Sequence, residues 1–175
     1  SIFRGREAGR YIITGVTLSL SATAPQPPFY KAVAQYLDAH NISTPSVRDL
    51  RRAVIAIRAD KLPDPKIKPN TGSFFKNAIV SDQTFNEILA HHADVPHYPM
   101  PENQQKIPTG WLIEQAGLKG TLHHGMRVHT KNALVLINES ATSYHDLAQA
   151  RQEIIDSVRS KFGITIEQEP LELSS

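Results

Sequence analysis

Residues 126–166 read MRVHTKNALVLINESATSYHDLAQARQEIIDSVRSKFGITI, and how this stretch folds decides the architecture of the chain. Residues 126–129 and 133–138 are two strand-like apolar runs, and Thr130, Lys131 and Asn132 between them are suited to a hairpin connection. Ser143 followed three residues later by Asp146 has the form of a capping box, in which each residue satisfies an N–H of the other at a helix start. Leu147, Ile154, Ile155, Val158 and Phe162 then stripe one face of a helix, and Gly163 ends it. Ile164 and Ile166 alternate with Thr165 and Glu167, which predicts a last strand returning to the sheet.

Upstream, residues 11–20 carry Val16, Leu18 and Leu20 in alternation with Thr17 and Ser19, the period-2 pattern of a half-buried first strand. Phe29, Val33 and Leu37 recur at spacing four and predict a short helix ending near His40. Thr44-Pro45 reads as the start of a second helix whose apolar stripe is Val47, Leu50, Val54 and Ile57. Seven of the twelve prolines fall between Asp60 and Pro108, so long irregular stretches are expected there. Within that region residues 74–80 read as a short strand and 81–92 as a helix with Phe85, Ile88 and Leu89 inward. Trp111, Leu112 and Ile113 open another short helix stopped by Gly117. Four or so strands and four or five helices, without regular β-α-β alternation, predict an α+β fold.

Composition removes several classes of function. The 175 residues carry 19 Lys plus Arg against 17 Asp plus Glu, a balance that does not advertise nucleic acid. Hydrophobic residues make up 40% and charged residues 21%, enough for a buried core in one domain, with or without a satellite subdomain. The longest aliphatic run, residues 133–137, is far short of the roughly 20 residues of a spanning helix, so no membrane contact is expected. The absence of cysteine removes disulfides, thiolate metal sites and cysteine nucleophiles, and fits a cytoplasmic location. Residues 1–10 have three arginines and no apolar core, so they do not read as a signal peptide.

No dinucleotide, P-loop, zincin or nucleophile-elbow motif occurs. The eight histidines include the pairs His91-His92 and His123-His124. Neighbours on a helix point about 100° apart and do not easily share an ion, so no metal is expected.

Several blocks together are specific: Lys61-Leu62-Pro63-Asp64-Pro65, Gly72-Ser73-Phe74-Phe75-Lys76-Asn77, Gly110-Trp111-Leu112-Ile113-Glu114-Gln115, Gly117-Leu118-Lys119-Gly120, Val128-His129 and Ala133-Leu134-Val135-Leu136-Ile137-Asn138. In this order they resemble the C-terminal domain of the UDP-N-acetylenolpyruvoylglucosamine reductase family, and the resemblance runs to about Glu169. It implies a small, mostly antiparallel sheet packed with helices, with residues 1–175 serving as the C-terminal substrate-binding and catalytic domain. The family's FAD-binding half is not matched by any part of the chain. Ser1-Ile2-Phe3-Arg4 resembles the segment just after a substrate-loop tyrosine in one branch of the family.

The resemblance also implies roles. The substrate would be UDP-N-acetylglucosamine enolpyruvate, reduced to UDP-N-acetylmuramate for peptidoglycan with FAD and NADPH. The other half would be the partner, and a monomer is expected. Ser73 aligns with the serine that donates a proton, and Glu169 with the carboxyl that stabilises the enol intermediate. Gln168 stands where the family has proline, and Pro170 where it has valine, so Glu167 is the alternative carboxyl. Lys61, Asn77 and Lys119 align with substrate-binding residues, and Asn132 stands where a glutamine is usual. Pro69, Thr71 and Ala78 depart in loop shape, and His123 and His124 replace smaller or apolar residues. Alone, the chain is expected to reduce nothing. A different reading is a non-catalytic module that binds anions through the arginine-rich helix 45–58, with Arg4, Arg6 and Arg10 contributing.

Overall fold

The computed structural model describes Phe3, Glu7 and residues 9–172. Two units divide at Ala53, and each is treated by itself. In the first, residues 11–20 are extended but pair with nothing among the described residues, so the expected first strand is not formed. Helix α1 spans Lys31–Ala39 and buries Leu37, the inward end of the predicted stripe. Helix α2, Val47–Lys61, begins at the unit boundary's N-terminal side and continues past it. Its cap is Ser46 rather than Thr44-Pro45: Ser46 Oγ accepts from Asp49 N–H at 3.3 Å while Asp49 Oδ2 accepts from Ser46 N–H at 2.9 Å. The expected apolar stripe of α2 is also corrected, because Val47 and Val54 are exposed and Ala53 alone is buried.

The second unit holds two antiparallel sheets, as the α+β reading requires. Strands β1 (Asn70–Ser73) and β2 (Ala78–Ser81) replace the single strand expected at 74–80. Helix α3 (Asp82–His91) follows, capped by Ser81 Oγ accepting from Thr84 N–H. Next come β3 (Tyr98–Met100) and β4 (Gln104–Ile107), two strands in the proline-rich stretch expected to be irregular. Pro99 is tolerated because β3 lies at the edge of the sheet ordered β2-β4-β3, where its missing N–H deprives no neighbour.

Helix α4 (Thr109–Gln115) leads to β5 (Leu122–His123), β6 (Met126–Val128) and β7 (Val135–Asn138). Together with β1 they form a sheet ordered β1-β7-β6-β5, in which the predicted β6–β7 hairpin pairs Met126 with Asn138 and Val128 with Leu136. The β5–β6 turn is the two-residue loop His124-Gly125, both in the left-handed region at φ 45° and 79°. Two positive φ angles suit the right-handed twist of the flanking strands. A Cβ at position 125 would lie 2.4 Å from Ala141 N, so only glycine fits.

Helix α5 (Tyr144–Phe162) has the predicted capping box of Ser143 and Asp146 and ends at Gly163 with φ 69°. Its buried residues Ala150, Ile154, Val158 and Phe162, four apart, face α4, β5 and β6. They share one core with Phe74, Phe75, Ile107, Leu112 and Leu136. The chain then returns along residues 164–169 with Ile164 and Ile166 buried, but only one bridge, Phe75 to Gln168, is made instead of a full strand.

Candidate active site

Ser73 ends β1 and pairs with Val135 at the start of β7. That end of the sheet is also where β6 finishes and where the segment before β5 begins, since Gly120 N–H donates to Val128 O at 3.0 Å. The topology therefore gathers the end of β1, the 129–134 loop and residues 118–121 at one margin of the sheet. Ser73, Asn132 and Lys119 all lie there.

The returning C-terminal segment adds Glu169. Phe74 O accepts from Glu169 N–H and Lys76 N–H donates to Glu167 O, both at 2.8 Å, flanking the Phe75–Gln168 bridge. Residues 167–169 thus run antiparallel along 74–76, and Glu169 comes to the residue next to Ser73. Both side chains are exposed. Glu167 Oε2 lies 3.0 Å from Lys76 Nζ, an exposed pair.

Asn77 and Asn132 are held in the same manner. Asn77 Oδ1 accepts from Thr109 N–H at 3.2 Å, and Asn132 Oδ1 accepts from Leu134 N–H at 3.2 Å. A backbone N–H can only donate, so each contact fixes which end of the amide is oxygen and leaves the NH2 group outward as a pair of donors. Thr109 is completely buried, and its hydroxyl donates to Lys76 O at 2.7 Å while accepting from Ala78 N–H at 3.0 Å. It ties the 76–78 segment to the start of α4. Gly110, the next residue, packs on Leu134 with only 3.4 Å from its Cβ position to Leu134 Cγ, which joins the Asn77 side to the 129–134 loop.

Lys119 Nζ donates to Glu114 Oε1 at 2.7 Å, a partly exposed pair. Lys61 ends α2 and is exposed, and no contact links it to the other five. Its neighbour Asp60 pairs with Lys131 in the 129–134 loop. The Lys131 hydrogen bond, and then its charge, hold the Asp60 carboxyl below its ordinary range. Lys131, Asp60, Leu62, Lys68 and His129 line a cleft of about 310 Å³ beside this loop. Burial first, then the charges of Lys68 and Lys131, depress the His129 pKa. Thr109 and Lys76 escaped the sequence reading. The signal for Thr109 was a hydroxyl directly after Pro108 at a helix start, and for Lys76 a cation inside the Ser73 block.

Among the described residues no three His, Asp or Glu side chains converge to hold a metal ion, and no helix is long and apolar enough to cross a membrane. Arg48, Arg51, Arg52 and Arg58 on α2 are exposed, with Arg52 lying 3.9 Å from Asp49. Arg10 pairs with Glu7 at 2.8 Å, and Arg4 and Arg6 fall outside the described residues.

The family model for the C-terminal domain of UDP-N-acetylenolpyruvoylglucosamine reductase matches residues 64–172. The chain belongs to this reductase family. Reductases carrying that name from Chromobacterium violaceum and Ralstonia nicotianae are 38% and 39% identical over 171 residues, covering 98% of this chain and 50% of each relative. The one from Neisseria gonorrhoeae is 38% identical over 171 residues, covering 97% of this chain and 49% of its own length. The chain thus spans about half the length of the curated reductases it matches. The matched region 64–172 contains Ser73, Asn77, Lys119, Asn132 and Glu169, whereas Lys61 lies just before it.

Proposed function

We propose that this chain is the substrate-binding and catalytic domain of a cytoplasmic, FAD-containing, NADPH-dependent enzyme that reduces UDP-N-acetylglucosamine enolpyruvate to UDP-N-acetylmuramate in peptidoglycan synthesis. The observation that carries it is the pairing of residues 167–169 with 74–76, which brings the backbone of Glu169 to Phe74, the residue next to Ser73.

Reducing the vinyl ether adds hydride to one carbon and a proton to the carbon bearing the carboxylate. Ser73 is assigned to deliver that proton, and Glu169 to steady the enol while charge sits beside the carboxylate. Glu169 is preferred over Glu167 because its backbone pairs with Phe74, the residue next to Ser73, whereas that of Glu167 pairs with Lys76, two residues farther on. The outward amide donors of Asn77 and Asn132 suit an anionic diphosphate, which offers acceptors only. Lys119 must exchange Glu114 for phosphate oxygen. A partly exposed ion pair is worth about 0–1 kcal/mol, less than a charge-assisted bond to phosphate, so the exchange is favourable. Lys61, beyond the Asp60–Lys131 pair, supplies a further cation.

When bound, FAD reduced by NADPH supplies the hydride. Among the described residues Ser73 and Glu169 are exposed, so this margin by itself does not enclose either group. Holding the cofactors is therefore assigned to the other half of the reductase, and the chain by itself is expected to be inactive.

The test is a titration of the chain with UDP-N-acetylglucosamine enolpyruvate, followed by amide NMR. Shifts at Ser73, Asn77, Lys119, Asn132 and Glu169 are expected. Shifts confined to Arg48, Arg51 and Arg52, reproduced by a plain polyanion, would instead support the anion-binding module. In enzyme reconstituted with the other half, Ser73→Ala should lower kcat by roughly 10² to 10⁴.

A further inference from the structure

The returning segment carries the carboxyl assigned to the enol, yet little backbone holds it. Ile164 and Ile166 are buried, but beyond them the backbone bonds to the rest of the domain, among the described residues, are Lys76 N–H to Glu167 O and Glu169 N–H to Phe74 O. They flank a single bridge, Phe75 to Gln168. So short a pairing specifies its register weakly, and register matters here: a slip of two residues would set Glu167 opposite Phe74 in place of Glu169.

Side chains on α5 supply a second hold. Arg151 Nη1 donates to Gln168 Oε1 at 2.5 Å and also pairs with Glu172. Gln168 Nε2 in turn donates to Pro170 O and to Glu172 Oε1, both at 3.0 Å. Arginine has no acceptor, so the Gln168 atom facing it is the oxygen, and the NH2 group keeps its two donors for those two acceptors. Tyr144, two turns before Arg151 on the same side of α5, hydrogen-bonds Glu172 as well. That bond first, and then the one from Gln168, holds the Glu172 carboxyl below its ordinary range. The Arg151 side chain is 21% exposed, so its bonds are partly shielded from water. Neighbours in an extended segment point to opposite sides. Gln168, turned to α5, thus leaves Glu167 and Glu169 on the other side, where both are exposed.

We propose that Arg151 is a positioning residue that fixes the register of residues 167–169 on 74–76, and so selects Glu169 over Glu167 as the carboxyl brought to the residue next to Ser73. Arg151 does not touch the substrate. It acts through Gln168 and Glu172, which stand on either side of Glu169 in the chain. The proposal rests on the reading that a carboxyl of this segment serves the enol, but the register itself is measured without substrate.

The experiment uses the 175-residue chain. Arg151→Met keeps the apolar stem and removes the bonds, and amide exchange at Lys76 and Glu169 should quicken about 10-fold or more while Val135 and Ile154 stay within about twofold. Gln168→Ala breaks the same latch from its other side and should do likewise. Because both remove one interaction, the double variant should exchange no more than about twofold faster than either single one. On titration with UDP-N-acetylglucosamine enolpyruvate, Arg151→Met should lose at least about half of the shift at Glu169 and keep those at Asn77, Lys119 and Asn132, because a displaced carboxyl leaves the diphosphate contacts in place. Unchanged exchange at Lys76 and Glu169 in both single variants overturns the proposal. A quickening that includes Val135 and Ile154 in both also overturns it, since Arg151 would then only stabilise the fold. So does a Glu169 shift undiminished in Arg151→Met. If the unaltered chain shows no substrate shift anywhere, the substrate reading fails, and the exchange rates still decide whether Arg151 sets the register.

Discussion

Two stretches with nearly the same strand-forming character end in opposite states. Residues 133–138, ALVLIN, run into β7, which lies between β1 and β6 with Val135, Leu136 and Ile137 buried. Residues 11–20, YIITGVTLSL, are extended, exposed and unpaired. Both are rich in β-branched and aliphatic residues, so propensity does not separate them. What separates them is company: Val135, Leu136 and Ile137 have a strand on each side, whereas Val16, Leu18 and Leu20 have neither a neighbour strand nor a covering helix among the described residues. A strand is a property of a sheet, because its backbone bonds and half of its packing belong to its neighbours.

Substitution probes the contrast most directly. Ile154→Ala, beneath the sheet on α5, should destabilise the chain by about 2–5 kcal/mol in urea unfolding, since it leaves a cavity in a core residue with no exposure. Leu18→Ala should change the same midpoint by no more than about 0.5 kcal/mol. A large loss from Leu18→Ala in the isolated chain would break the comparison.

Thr109→Val sharpens it from the polar side. The hydroxyl serves Lys76 O and Ala78 N–H in a fully buried place, and losing it strands both groups at a cost of about 1–3 kcal/mol. The Asn77 amide signals should shift as well, because its anchor moves with Thr109. Ser143→Ala removes one side of the α5 capping box and should cost about 0.5–2 kcal/mol in the same unfolding assay.

The smallest effect concerns pH. His123 Nδ1 and His124 Nε2 each lie 2.8 Å from one oxygen of Glu153, which ties the β5–β6 turn to α5. The hydrogen bonds from His124 and then His123 hold the Glu153 carboxyl below its usual value of 4.5. A carboxyl depressed by folding stabilises the folded state above its unfolded pKa and stops doing so as pH falls through the folded one. Unfolding midpoints should therefore drop as pH is lowered from about 5 into the acid range. Glu153→Gln should remove a measurable part of that slope. An unchanged slope would show that the clasp adds nothing to stability.

Much of the second unit was legible because its signals are local. The β6–β7 hairpin, the Ser143–Asp146 box, the α5 stripe and the Gly163 stop each occupy a few consecutive residues whose chemistry admits one structure. The failures have physical causes too. Residues 74–80 read as one strand, but β1 ends before them at Ser73 and Thr109 pins 76–78 to α4, so only 78–80 are strand, as the start of β2. Strands β3 and β4 were hidden because Pro99 and Pro101 mimic loop composition, and an edge position tolerates them. On α2, Val47 and Val54 have helical spacing without a core to face. For the candidate site, Ser73, Asn77 and Lys119 stand out in sequence through their blocks, yet that Glu167 is occupied by Lys76 appears only in three dimensions.

By itself the sequence determined the α5 helix with its Ser143–Asp146 start and Gly163 stop, the β6–β7 hairpin, and the family to which the blocks of residues 61–138 belong, since these depend on neighbours within a few positions. Only the tertiary structure decided which residues meet at the sheet margin, which residues the returning segment 167–169 pairs with, and which apolar strand finds a partner. Those outcomes depend on hydrogen bonds and burial between segments far apart in the chain, and no local pattern encodes the pairing of Phe74 with Glu169 or the solitude of residues 11–20.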